Sequence, residues 1–501
     1  MKNHDGKGKR TGGALVVAWL MAVGGTFAAD APATHRDSIP RLVRAIEFGD
    51  YGSAVVRFGD LNGDGQVEAL VVQEDASGGQ NQIIVTCLTA IDLEGRVLWQ
   101  VGKPNPRNVW EGGDTPIQIH DIDGDGQTEV IYQDPKSLLT ILDGKTGKQK
   151  RQVQLAGGHD CLLFADLTGS GRAQQFVVKD RYSDFWVYDA AQDFKLLWSK
   201  TRAITGHYPI NYDFNGDGKD ELLVGYTLYA PDGAVIWSHQ NDFPGGRNHN
   251  DAVDVKDMDD DGRPEIAIAT SEDAILVDAD GKVLFRASGH HTQHAMIGRF
   301  RTDLPGKQAF FISRNEATGP GGQPRPAGVA EAFYTKSGEL LWDNSKQKEE
   351  DKDGWVTQGV VVENWTGNPK ENFVCLNRRG HAPPALLDGW GRVVTVFPIP
   401  ARPSRRAAER TAAPGNPAAR EGPPALRENY ANDYVKHIDV YGDEREEILV
   451  FNEYALYIFT NAAVRPEKVE PSAALAGWKR SAGPLRERVE CYNDTIYNGR
   501  K

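Results

Sequence analysis

One acidic turn recurs along the chain, and its spacing constrains the fold more than any other feature. The full copies are DLNGDGQVE from Asp60, DIDGDGQTE from Asp121, DFNGDGKDE from Asp213 and DMDDDGRPE from Asp257. The weaker copies are DLTGSGRAQ from Asp166, GRFRTDLPGKQ from Gly298, NWTGNPKEN from Asn364 and DVYGDEREE from Asp439. Successive copies begin about 40 to 75 residues apart, which is the range expected of propeller blades with some insertions.

Short apolar strands flank each acidic turn, as in ALVVQ, EVIYQ, LLVGY and IAIAT. A second hairpin follows and ends in an aromatic or aliphatic residue, as in AIDLEGRVLWQ and LYAPDGAVIWS. Because the chain shows almost no helical periodicity, we predict an all-β fold. The expected architecture is a single β-propeller of four-stranded antiparallel blades with DxDGDG-type cation loops. We expect eight blades, or seven if one degenerate copy is misread.

The ends of the repeat region set the expected domain boundaries. Residues 1–29 combine basic residues, an apolar run and small residues, a pattern typical of a signal peptide for a secreted or periplasmic protein. The propeller is expected at residues 40–465, with residues 42–48 adding a strand to the last blade. Residues 402–427 are rich in Ala, Pro and Arg and read as a flexible insertion, with an arginine-rich binding arm as the alternative. Residues 466–501 are expected to pack on or close the propeller.

Charge and cysteine content narrow the range of functions. The net charge of −13 argues against a nucleic-acid partner, and no segment after the signal peptide is apolar enough to span a bilayer. We expect a monomer. The sequence has no GxSxG, HExxH or phosphate-binding glycine motif, so esterase, zincin and nucleotide functions have no support. Buried thiols and disulfides both remain open for the four cysteines, which are Cys87, Cys161, Cys375 and Cys491.

The four full acidic turns have the composition of cation sites. Positions one, three, five and nine offer side-chain oxygens, and the glycines let the backbone curl around a hard cation such as calcium. The turns resemble those of FG-GAP or VCBS propeller repeats, whose cation loops join the first and second strands of each blade. We therefore predict several structural calcium sites. Their ligands are Asp60, Asn62, Asp64 and Glu68; Asp121, Asp123, Asp125 and Glu129; Asp213, Asn215, Asp217 and Glu221; and Asp257, Asp259, Asp261 and Glu265.

The segments that lead into the first strand of each blade should meet on the face opposite the cation loops, because the innermost strand crosses the disc. Six of the twelve histidines fall in these lead-in segments. A ring of His, Tyr and Arg suits an anionic or polyhydroxylated ligand, whereas the alternative is that the histidines only bond backbone groups in the channel. The residues expected to bind substrate there are His159, His207, Arg181, His290, His294, Arg314, Trp355, Arg378, Arg379, His381 and Tyr434.

The run GHHTQHAMIGRFRTDLPGKQAFFISRNE, which begins at Gly289, resembles a stretch of the propeller-type rhamnogalacturonan lyases of polysaccharide lyase family 11. The hairpin RVLWQVG before DIDGDGQTEVIYQD is also similar. This resemblance implies β-elimination at a uronic acid of an acidic polysaccharide, with calcium present. The reaction needs a base, an acid and a group that stabilises the carboxylate. The expected catalytic residues are His291 as base with His249 as its alternate, Tyr208 as acid, and Arg247, with Arg314, as carboxylate clamp.

Two other functions fit the same residues. One is a non-catalytic, calcium-stabilised propeller that binds a glycan or a protein. The other is a glycoside hydrolase, for which Asp114 and Asp160 are the nearest carboxylates. Elimination leaves a double bond in the product and hydrolysis does not, so product analysis separates the two reactions.

Overall fold

A computed structural model describes residues 37–75, 83–109, 115–242, 249–270, 272–288, 292–315, 328–344, 359–376, 383–405, 431–441 and 445–463. The chain divides into two units, of which Met1–Thr34 lies outside the described residues. The expected signal peptide and the tail 466–501 also lie outside them, as does most of the expected insertion. The second unit, His35–Lys501, contains the fold.

Thirty-two strands form eight sheets of four strands each in the described part of the chain, and every strand pairing is antiparallel. Blades 1 to 4 are built from β2 (Val55–Gly59), β3 (Glu68–Asp75), β4 (Ile84–Asp92) and β5 (Val97–Gly102); β6 (Ile117–His120), β7 (Glu129–Gln133), β8 (Leu138–Asp143) and β9 (Gln149–Gln154); β10 (Asp160–Ala165), β11 (Gln175–Lys179), β12 (Phe185–Asp189) and β13 (Lys195–Lys200); and β14 (Ile210–Tyr212), β15 (Glu221–Val224), β16 (Thr227–Tyr229) and β17 (Val235–Ser238).

Blades 5 to 8 are built from β18 (Asn250–Lys256), β19 (Glu265–Thr270), β20 (Asp273–Asp278) and β21 (Val283–Ser288); β22 (Thr292–Gly298), β23 (Gln308–Asn315), β24 (Gly328–Tyr334) and β25 (Leu340–Asp343); β26 (Gly359–Val362), β27 (Phe373–Leu376), β28 (Ala385–Leu387) and β29 (Val393–Val396); and β30 (Tyr434–Ile438), β31 (Glu447–Phe451), β32 (Ala455–Asn461) and β1 (Pro40–Glu47). Two short 3₁₀ turns, Gly49–Tyr51 and Ala190–Gln192, complete the regular structure of these residues. The predicted all-β, eight-bladed propeller is confirmed.

The N-terminal strand closes the ring. Strand β1 pairs with β32, so that Pro40 lies opposite Asn461 and Glu47 opposite Ala455. The rings of Phe58 in blade 1 and Phe451 in blade 8 lie 5.8 Å apart in one apolar cluster. The structure therefore contains the closing strand predicted at residues 42–48.

The core lies between the blades. The second strand of blade 3, β11, is buried along its whole length, and one cluster of buried residues runs from blade 3 through blade 5. Removing such residues from water supplies about 1.5 to 3 kcal/mol per large apolar side chain. Cys87, Cys161 and Cys375 are buried free thiols in this core, and Cys491 lies outside the described residues.

Aromatic side chains pack against glycines of the next blade at the outer edge of the propeller. Trp237 of blade 4 covers Gly281 in the outer turn of blade 5, and its Nε1 donates to the carbonyl of Ala279 at 3.1 Å. A Cβ at Gly281 would lie only 2.6 Å from the Trp237 ring. The same contact recurs at four other interfaces, where the ring and glycine are Trp99 and Gly147, Trp198 and Gly233, Phe285 and Gly338, and Trp342 and Gly391.

The first strand of each blade separates two kinds of connection. In blade 4, His207 precedes β14 and the acidic turn from Asp213 follows it. The acidic turns and the lead-in segments therefore lie at opposite ends of the innermost strands. No helix among the described residues is both long and apolar enough to cross a membrane.

Candidate functional site

The four full acidic turns form loop 1 (residues 60–68), loop 2 (residues 121–129), loop 3 (residues 213–221) and loop 4 (residues 257–265), each between the first and second strands of its blade. The first aspartate organises each loop by accepting backbone N–H groups. In loop 1, Asp60 accepts from Gly63 at 2.7 Å and from Gly65 at 3.0 Å. Both glycines have positive φ, so the turn needs residues that tolerate this conformation.

The glutamate at position nine fastens the loop to the second strand. Oε2 of Glu68 accepts the N–H of Leu61 at 2.7 Å, and Oε2 of Glu221 accepts that of Phe214 at 2.8 Å. Burial raises the pKa of Glu68 to about 7, and the pKa of Glu129 and Glu221 is raised to the same value for the same reason. A cation beside these carboxylates would favour their charged form.

Loops 2 and 4 each bring three of their predicted metal ligands together. Carboxylate oxygens of Asp121, Asp123 and Glu129 lie within 4.8 Å of one another, as do those of the equivalent residues of loop 4. Hard oxygen donors on a glycine-rich turn fit a hard cation, so these groups could hold a metal ion. The sixteen predicted ligands all lie in the four loops on this face.

A different cluster lies at the other face, where blades 3 to 5 meet. Nε2 of His207 lies 3.7 Å from Oδ1 of Asp251, and Nε2 of His249 lies 3.5 Å from the same oxygen. One ligand atom from each of the three residues lies within 4.8 Å of the other two, and each side chain is at least four-fifths buried. Two imidazoles and a carboxylate are a suitable donor set for a divalent cation.

Tyr182 completes this cluster from the loop between β11 and β12. Its Oη lies 2.9 Å from Nε2 of His207, and its ring centroid lies 4.4 Å from that of His249. Tyr182 has φ of 70°, a costly conformation for a residue with a side chain, so the surrounding contacts hold it there. We call His207, His249, Asp251 and Tyr182 the imidazole cluster. It places a phenol beside two imidazoles and a carboxylate.

Neighbouring side chains support the imidazole cluster. The Arg181 guanidinium lies 5.1 Å from the Tyr182 ring centroid, and Gln293 of blade 6 donates to Oδ1 of Asp251 at 2.8 Å. Nδ1 of His159 lies 3.1 Å from Oδ1 of Asp180 in blade 3. The sequence predicts Arg181 on this face and assigns no role to Tyr182 or Asp251. The only signal for Asp251 was its position two residues after a lead-in histidine.

Three predicted site residues have packing roles in the structure. His294 lies within β22, is 3% exposed, and its Nε2 lies 2.8 Å from the carbonyl of Gly359 in blade 7. Burial lowers the pKa of His294 to about 4, so it stays neutral. Tyr434 stacks on Phe451 in the core between blades 8 and 1, and Tyr208 is 5% exposed in the apolar cluster of blades 3 to 5.

Asp160, one of the two carboxylates predicted for the hydrolase alternative, is also buried. Asp160 is 2% exposed, and its Oδ2 accepts a hydrogen bond from the fully buried Lys179 at 2.5 Å. Asp114, the other carboxylate of that alternative, lies outside the described residues. Arg314 lies in β23 opposite Val329. The other predicted site residues outside the described part of the chain are Arg247, His290, His291, Trp355, Arg378, Arg379 and His381.

Comparison with known proteins points to one group of enzymes. No protein-family profile matches the chain. The rhamnogalacturonan exolyase YesX of Bacillus subtilis (strain 168) is 24% identical over 314 residues, which cover 58% of this chain and 48% of YesX. The rhamnogalacturonan endolyase YesW of the same organism is 24% identical over 315 residues, which cover 58% of this chain and 47% of YesW. The chain resembles rhamnogalacturonan lyases. It spans about half the length of these curated relatives.

Solved structures give the same fold. The crystal structure of the exotype lyase YesX superposes with a TM-score of 0.53 at 18% identity and covers 82% of this chain and 72% of its own. The V. cholerae biofilm matrix protein Bap1 superposes with a TM-score of 0.51 at 14% identity, covering 86% of this chain and 90% of Bap1. At these identities the superpositions establish the propeller fold, so function rests on the sequence similarity and the site.

Proposed function

We propose that this protein is an exported polysaccharide lyase that cleaves a rhamnogalacturonan-like, uronic-acid-containing polymer by β-elimination. The observation that carries the proposal is the imidazole cluster, in which His207, His249, Asp251 and Tyr182 converge at the face opposite the acidic loops. Similarity to YesX and YesW supports the same substrate class and reaction. The acidic loops are proposed as calcium sites that stabilise the propeller.

The residues of the cluster suit the parts of a β-elimination. A divalent cation held by His207, His249 and Asp251 would neutralise the uronate carboxylate and so acidify the adjacent C–H bond. His291 remains the proposed base that the family resemblance implies, because His249 faces Asp251 at 3.5 Å. Arg247 and Arg314 remain the proposed clamp for the carboxylate.

Tyr182 is our proposed general acid for the leaving oxygen. Tyr208, the acid expected from the sequence, is 5% exposed, whereas Tyr182 is only partly buried. The phenol oxygen of Tyr182 lies 2.9 Å from Nε2 of His207, so a cation bound to that nitrogen would leave the phenol hydrogen free to be donated to the leaving oxygen. An acid in that position typically contributes about 10²- to 10⁴-fold to the rate.

A screen of acidic polysaccharides tests the proposal. We expect a uronate polymer to give unsaturated product, detected by its ultraviolet absorbance. Tyr182→Phe should then reduce kcat by about 10²-fold or more, because the general acid is lost. His239→Gln is the matched control, since His239 bonds Asp242 and the carbonyl of Gly281 at the rim of the disc.

The outcome also separates the alternatives. New reducing ends without unsaturation would indicate a hydrolase and overturn the lyase proposal. Saturable binding of a uronate polymer without any cleavage would indicate a binding propeller. Full activity in the Tyr182→Phe variant would remove Tyr182 from the mechanism.

A further inference from the structure

The four acidic loops fall into two types that differ at position three. In loops 1 and 3 this residue is an asparagine. Nδ2 of Asn62 donates to Oε1 of Glu68 at 2.8 Å, and Nδ2 of Asn215 donates to Oε1 of Glu221 at the same distance. Oε1 of the position-nine glutamate therefore accepts a hydrogen bond from a donor within its own loop.

In loops 2 and 4, position three is an aspartate, which has no hydrogen to donate to the glutamate when it is ionised. A lysine ammonium takes the place of the asparagine amide. Nζ of Lys150 lies 2.7 Å from both Oδ2 of Asp123 and Oε1 of Glu129, and 3.7 Å from Oδ2 of Asp125. Positions three, five and nine of loop 2 thus surround one cation that belongs to the chain itself.

Loop 4 repeats this arrangement with a lysine from elsewhere in the fold. Nζ of Lys336 lies 2.7 Å from Oδ2 of Asp259 and 2.6 Å from Oε1 of Glu265. Lys150 lies in β9 of the blade that carries loop 2, whereas Lys336 lies in the turn between β24 and β25 of the blade after loop 4. Two unrelated positions therefore supply the same charge at equivalent places.

The extra negative charge of loops 2 and 4 accounts for the lysine beside each of them. Replacing asparagine by aspartate adds one negative charge beside a glutamate that is almost completely buried, with 1% side-chain exposure for Glu129 and 3% for Glu265. A compensating cation beside the buried glutamate and the half-exposed aspartate favours the charged form of both carboxylates.

We propose that Lys150 and Lys336 are built-in cations that compete with calcium for the oxygens of loops 2 and 4. Calcium then binds tightly at loops 1 and 3, and binds at loops 2 and 4 only by displacing the lysine. In both loops the ammonium lies within 2.7 Å of the position-three and position-nine carboxylates. The proposal rests on the acidic loops being calcium sites and is independent of any lyase activity.

Calorimetric titration of the full chain with calcium chloride at neutral pH tests this proposal. We expect Lys150→Met to bind calcium at one additional tight site, with an affinity for loop 2 about tenfold or more above that of the wild type, because a charge-assisted competitor is gone. Lys336→Met should do the same for loop 4. Lys148→Met is the matched control, since Lys148 is an exposed residue two positions before Lys150.

Thermal unfolding provides a second measurement on the same variants. With a chelator present, Lys150→Met should unfold at a lower temperature than wild type, and added calcium should restore it. If Lys150→Met does not fold without calcium, refolding on calcium addition supports the proposal. Four equivalent tight sites in the wild type, no calcium binding in any variant, or unchanged affinities in both methionine variants would overturn it.

Discussion

At the scale of single residues, Asp433 is a buried acid that lies just before β30. It is 7% exposed, and Asn452 Nδ2 donates to its Oδ1 at 2.9 Å. Burial outweighs this hydrogen bond and raises the pKa of Asp433 to about 7. Between about pH 4 and pH 7 the folded protein therefore retains a proton that the unfolded chain has lost, and stability falls as pH rises through this window.

Asp433→Asn should remove this pH-dependent loss of stability. The new amide keeps an oxygen for Asn452 and needs no charge in the core, so we expect Tm at pH 8 to rise by about 1 to 3 °C and the change at pH 5 to be smaller. Melting curves at the two pH values measure the effect. Asp232→Asn, in an exposed turn, is the control, and an equal shift at both pH values would contradict the assigned pKa.

The sequence predicted part of the imidazole cluster, because the spacing of the repeats shows which segments lead into the first strands. His159, His207 and His249 all immediately precede or lie close to a first strand, and the structure places them on one face. The contacts of Asp251 and Tyr182 became visible only in three dimensions, since they join three blades and the left-handed φ of Tyr182 has no sequence signature. His294 lies inside its strand, so its ring turns into the core.

At the scale of single elements, two degenerate repeats, those of blades 3 and 6, keep a hydrogen bond that shapes the turn. In the copy from Asp166, Gln175 accepts the N–H of Leu167 at 3.1 Å, and in blade 6 Gln308 accepts that of Arg301 at 2.7 Å. A glutamine oxygen makes the same hydrogen bond as the glutamates of the full loops, without their charge. This explains why copies that lost cation ligands still marked blades in the sequence. The sequence did not predict the roles of Lys150 and Lys336, because neither lysine lies in the acidic loop that it contacts.

The rim contact between Trp237 and Gly281 predicts a sharp steric effect. Gly281→Ala should lower the unfolding free energy by about 2 to 4 kcal/mol, since the added Cβ meets the Trp237 ring and φ is +84°. Gly49→Ala is the control, because Gly49 also has positive φ but its Cβ would have nothing within 4 Å. That variant should lose only about 1 kcal/mol in urea unfolding. Equal losses would show that backbone strain, not ring packing, sets the effect.

At the scale of the whole molecule, stability depends on the closing strand. Ile46 and Phe48 are 4% and 0% exposed in the cluster that joins blades 8 and 1. Arg402 adds an ion pair to Glu47, and its Nη1 lies 2.7 Å from Oε2 of that residue. The start of the predicted flexible insertion therefore packs on the closing blade.

A chain that begins at Gly49 should lose cooperative unfolding and self-associate, because it exposes the edge of β32 together with apolar surface. A chain that begins at Asp37 retains β1 and should melt like the full protein. Size-exclusion chromatography and thermal melting followed by circular dichroism compare the two. A Tm within about 2 °C for both chains would show that β1 is dispensable.

Pairing β1 with β32 also fixes when folding can finish. The two strands lie at opposite ends of the propeller sequence, so the partner of Pro40 is Asn461. During synthesis the first strand must wait, unpaired, until the last blade has left the ribosome, and the contact that joins them has the longest loop to close. A premature stop within the final blade would therefore leave every earlier blade in an open arc whose two ends both expose strand surface to other chains.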